Sequence, residues 1–96
     1  MLLLPAMLTA HEARDTLRML AQALQREPGT EAVLNAANLQ QFDSAALAVL
    51  LECERLAQAS GKTFAIRDAP AKLLALAKLY GVDALLLHAE AAPQAA

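Results

Sequence analysis

The sequence predicts an α/β domain, a mixed and largely parallel β-sheet packed with helices. Three observations lead there. Short strand-like apolar runs alternate with longer runs at helical spacing, an order that needs crossover connections and parallel pairing. Helix-start residues (Thr9, Asp43-Ser44, Pro70) precede each helical run. Helix-stop residues (Pro28-Gly29, Ser60-Gly61, Gly81) follow each one. With 96 residues there is room for one modest core and not for two. The expected organisation is a single domain over residues 1–90 and a disordered tail over 91–96.

Each element has a local reason. Residues 2–8 read as a buried strand interrupted by Pro5, which lacks a ladder N–H and so belongs at a sheet edge or a bulge. Thr9 and Glu12 have the spacing of a capping box. The helix they open carries Ala13, Leu17, Leu20, Ala21 and Leu24 on one face. Residues 31–36 form a short strand, and 37–42 connect it to the next helix. Asp43 or Ser44 caps that helix, since either side chain can accept from first-turn N–H groups. It should run to about Ala59.

At about 100° per residue, Ala46, Val49, Leu50, Cys53, Leu56 and Ala57 share its core-facing stripe. Leu47 and Leu51 are expected to point the other way, beside Arg55 and Gln58. Further on, Thr63–Arg67 alternates in strand fashion. Pro70 suits a first helical position, and the helix through Tyr80 would put Leu73, Leu76, Ala77 and Tyr80 on one side. Residues 82–87 read as a last strand.

Composition excludes several classes. The net charge is −2, with eight scattered Lys and Arg, so no basic face for nucleic acid forms. Phe42, Phe64 and Tyr80 are the only aromatic residues, too few for base-stacking platforms. Cys53 is the only cysteine and sits on the core stripe, which fits a reduced, cytoplasmic setting. The opening residues lack a basic leader and a full signal core, and no run reaches the roughly 20 apolar residues of a membrane span.

Catalytic and metal chemistry find no constellation. Ser44 with His11 or His88 lacks a nucleophile elbow, and Asp43 beside Ser44 is badly placed to orient a histidine. His11-Glu12 and His88-Ala89-Glu90 lack zinc-ligand spacing. Gly61-Lys62-Thr63 lacks the upstream glycine of a phosphate loop and reads as a helix stop. No catalytic residue, cofactor or metal is expected.

Asp43-Ser44-Ala45-Ala46-Leu47, followed by Ala48-Val49-Leu50-Leu51, resembles the Asp-Ser-[Ser/Thr/Ala]-Gly-Leu signature of STAS domains, the anti-sigma-factor antagonist family. The order downstream is similar too: Ala59-Ser60-Gly61-Lys62, an apolar strand, Ala69-Pro70 opening a helix, then Tyr80-Gly81-Val82-Asp83. Ala46 replaces the usual Gly, and Asn35-Ala36 stands where the family often has Asp-Leu. Family members generally carry one more strand before residues 2–8; its absence would leave an open sheet edge.

The wording of the signature and the Ala/Leu-rich helix resemble MlaB-type STAS subunits most. That resemblance implies a non-enzymatic subunit that binds and supports the ATPase of a phospholipid-transporting ABC complex from the cytoplasmic side, peripheral to the inner membrane. The docking residues would be Asp43, Ser44, Leu47, Ala48, Leu51 and Arg55, with Ser44 as a phosphorylation switch. A phosphate there carries roughly −1.5 to −2 charges. The helix N-terminus tolerates it, but a partner docking over it would have to desolvate it. One alternative is an anti-sigma-factor antagonist whose kinase-like partner phosphorylates Ser44. The other is a structural homodimer formed through the open edge.

Overall fold

In the computed structural model, residues 2–83 are described. The expected last strand over 82–87 falls beyond them except at its first two residues, and His88 and the expected tail lie outside as well. In chain order the elements are β1 (Leu2–Leu3), β2 (Met7–Leu8), α1 (Ala10–Arg26), β3 (Glu31–Asn35), β4 (Gln41–Phe42), α2 (Ser44–Ala59), β5 (Thr63–Arg67) and α3 (Ala71–Leu79).

Pro5 divides the first apolar run in two. Leu2–Leu3 joins the edge of a three-stranded parallel sheet ordered β1-β3-β5, and Met7–Leu8 pairs in parallel with β4 in a separate two-stranded sheet. β4 lies inside what sequence spacing reads as a plain connection. Gln40 and Gln41 donate their N–H groups to the Ala6 carbonyl at 2.8 and 2.9 Å, which draws that connection against β2.

Register puts like residues side by side. Leu2 faces Leu34, and Leu34 faces Ile66, while Ala32 faces Phe64. All of these are buried, so the strands' alternation resolves into one core face. α1 and α2 pack against each other, with α1 reaching β1 and α2 reaching β5. Leu20, Leu24, Leu50, Cys53 and Ala57 lie in the shared core. Burial pushes the Cys53 thiol up to about 12, with the nearby Glu52 charge adding to the effect, so it packs as a small apolar residue.

The helix ends follow their local chemistry. α2 closes with Gly61 at φ +75°, its N–H bonding the Gln58 carbonyl and the Lys62 N–H bonding that of Ala57. This is a Schellman closure, whose left-handed residue favours glycine. Lys62 then donates its ammonium to the Leu24 carbonyl at 3.1 Å and to that of Glu27. It thereby places a cation on the last carbonyls of α1, where the helix dipole favours one. Pro70 is the cap residue of α3 rather than its first helical residue, and Tyr80 is exposed at the far end rather than buried with Leu73 and Ala77.

Candidate functional site

Two helix starts lie side by side, and the pairing of β2 with β4 puts them there. Each of these short parallel strands leads through one capping residue into a helix, so Thr9 and Asp43 meet at neighbouring positions. Asp43 joins the two starts. One carboxylate oxygen accepts from the Ala45 N–H at 2.8 Å, inside α2, and the other accepts from the Ala10 N–H at 3.2 Å, in the first turn of α1. Both N–H groups are ones that a helix leaves without an internal partner.

The α1 start has its own capping box. Glu12 accepts from the Thr9 N–H at 2.8 Å and from the Thr9 hydroxyl at 2.5 Å. These two bonds hold the Glu12 carboxyl below its ordinary range, the hydroxyl contributing most. The cap of α2 is Asp43 and not Ser44, so among the described residues no hydrogen bond occupies the Ser44 hydroxyl. It stands exposed in the first turn.

From Ser44 a row of residues runs along the outer face of α2: Ser44, Ala48, Leu51 and Arg55, spaced by four, three and four. Ser44, Ala48 and Arg55 are exposed, and Leu51 is half-buried against the core. Arg55 forms a two-point ion pair with Glu52, one arm at 2.9 Å. The same pair raises the Arg55 guanidinium and lowers the Glu52 carboxyl from their ordinary values. The far end of the row is therefore nearly neutral in charge while its head carries Asp43.

Leu47 is a correction. Helical spacing sets it outward beside Leu51, yet it is 3% exposed and belongs to the core. The buried arc of α2 extends past the sheet-facing stripe to the flank carrying Leu47 and, two turns on, Glu54, which is 8% exposed. A helix enclosed beneath and along its flanks buries more than the stripe that periodicity marks. The surface shifts instead toward α1. There Ala45, Ala48 and Val49 of α2 meet Ala13, Arg14 and Leu17 of α1 in an open apolar groove of about 270 Å³. Spacing sets Ala13 and Leu17 toward the core, and both do pack against it while also lining this groove, but spacing gives Arg14 no role. The paired strand-then-cap pattern at Thr9 and Asp43 was the signal that could have set the two helices together.

No group of residues able to hold a metal ion exists among the described residues. No helix among them is long and apolar enough to cross a membrane.

Parallel pairing of the described strands, with two helices starting from paired strands and an Asp-Ser helix head on the surface, fits a STAS-type α/β module, a class that generally works by binding other proteins rather than by catalysis. Residues 2–88 match the family described as "Mlab, STAS domain", and the chain belongs to it. Comparison with curated proteins gives no match.

Proposed function

We propose that this chain is a non-enzymatic subunit that binds and supports the ATPase of an Mla-type phospholipid-transporting ABC complex, acting in the cytoplasm at the inner membrane through that partner. The docking surface is the outer row of α2, with Asp43, Ser44, Ala48, Leu51 and Arg55. The observation that carries the reading is the Ser44 hydroxyl. It is exposed and unengaged at a helix start whose capping is already supplied by Asp43. A serine kept only to cap the helix would use its oxygen for that purpose.

The surface suits a protein partner. Ala48 presents no long side chain to be immobilised, which keeps the ordering cost of docking low, and Leu51 offers apolar area beside a neutralised ion pair. A dianion at Ser44 would leave the helix capped and folded while opposing a docked partner.

The test is retention of an Mla-type ABC ATPase subunit by this chain. Ser44→Glu and Leu51→Asp are each expected to abolish its co-purification, the first with an unchanged circular dichroism spectrum and the second with helical content kept but a lowered melting temperature, because Leu51 packs partly against the core. Normal retention by both variants would remove this face from the docking surface. If a kinase-like anti-sigma factor is retained instead, and loses binding once it phosphorylates Ser44, the chain is an anti-sigma-factor antagonist using the same face.

A further inference from the structure

The α1–α2 groove is distinct from the outer row of α2, though Ala48 borders both. Its walls are Ala13, Leu17, Ala45, Ala48 and Val49, with Arg14 as the one charged lining residue. Three of those five apolar residues are alanines at the starts of the two helices. Farther along, Leu20 and Leu24 of α1 are buried in the core with Cys53 of α2. The groove therefore exists because small side chains stand where the helix starts are held together by Asp43. Any longer residue at Ala13, Ala45 or Ala48 would fill it.

Size and chemistry narrow what can enter. At about 270 Å³ and open on one side, the groove is smaller than the roughly 300–1,000 Å³ of small-molecule sites. It also lacks the several convergent polar groups that orient such ligands. It suits a short ridge of side chains, as a helix presents when two apolar residues stand one turn apart.

Charge specifies the other half of the match. Glu12 is engaged by Thr9, Asp43 by two backbone N–H groups, Arg55 by Glu52, and Arg18 lies 4.0 Å from Asp15. Arg14 alone among these has no hydrogen-bond or ion-pair partner among the described residues. A planar guanidinium left over an apolar groove is complementary to a carboxylate, which it can bind at two points.

We infer that the groove receives an amphipathic helix of the partner, two apolar side chains one turn apart entering between α1 and α2 while an Asp or Glu beside them pairs with Arg14. This rests on the docking reading above and adds the kind of surface that arrives.

The test uses the full chain and the Mla-type ATPase subunit that it retains, with affinity measured by titration calorimetry. Ala48→Trp fills the groove from an exposed position, so folding is spared, and binding is expected to fall at least about 50-fold. Arg14→Glu is expected to weaken binding about tenfold or more. Reversing a single acidic residue on the contacting partner helix to Arg should restore it, a coupling that only direct pairing produces. That helix is located by a photo-reactive residue placed at Leu17, with the cross-linked peptide identified by mass spectrometry. Wild-type affinity in Ala48→Trp or in Arg14→Glu overturns the inference, as does a cross-link to a segment with no acidic residue within one turn. If Ser44→Glu and Leu51→Asp still break binding in that case, the docking reading stands and only the groove's role is lost. If all four variants bind normally, both fall.

Discussion

Single residues decide more here than their periodicity indicates. Leu47 and Ala48 are neighbours in sequence, but one is sealed in the core and the other lies open. Leu47→Ala is therefore expected to cost about 2–5 kcal/mol of stability by urea denaturation, the usual range for truncating a buried leucine. Ala48→Gln should stay within about 0.5 kcal/mol of the parent. A Leu47→Ala cost below about 1 kcal/mol would return that leucine to the surface and restore the arrangement that spacing suggests. Asn35, which departs from the family's usual residue, has a physical role of its own. Its side-chain oxygen accepts from the Ala37 N–H at 2.8 Å, and its amide donates to Asp68 at 3.1 Å. Asp68 sits at φ +57°, a conformation that Asp tolerates better than most residues, and the bond from Asn35 holds it there.

At the scale of elements, the boundaries of α1, α2, β3 and β5 were legible because each is written in local chemistry. A capping box, an Asp cap and a glycine stop act within a few residues of themselves. What spacing could not supply was pairing. β2 and β4 have two residues each, too few for any period, and their partnership depends on carbonyl and N–H groups far apart in the chain. Asp43 is where local and distant chemistry meet, because its carboxylate serves both helix starts. Asp43→Ala should therefore cost about 1–2 kcal/mol, more than an ordinary cap on one helix. Asp43→Asn should recover only part of that. One amide oxygen can still accept from Ala45, but its NH₂ cannot accept from Ala10. Thermal unfolding of the three proteins checks this, and equal midpoints for Asp43→Asn and the parent would show that the link to α1 carries no stability.

For the molecule as a whole, the candidate site was legible only in part, and the reason is geometric. Asp43, Ser44, Ala48 and Arg55 could be placed on the surface from one helix alone. The groove needs two helices, and the burial of Leu47 needs the enclosure around α2. Both are properties of the packed chain. The same packing ranks the elements by how tightly they are held. β3 lies between β1 and β5 and hydrogen-bonds on both sides, so its amides open only when the sheet does. α3 has nine residues, no side-chain cap at Pro70, and only Leu73 and Ala77 fully buried. Hydrogen exchange should consequently find the slowest amides in β3 and on the buried side of α2, with α3 exchanging through a smaller, local opening. A partner bound along α2 and the groove should slow the first turns of α1 and α2 beyond their free rates and leave α3 as it was. Protection of α3 equal to that of β3 in the free chain would mean that the third helix belongs to the same cooperative unit. The proposed docking surface would then be carried by the entire fold rather than by the two helices that Asp43 joins.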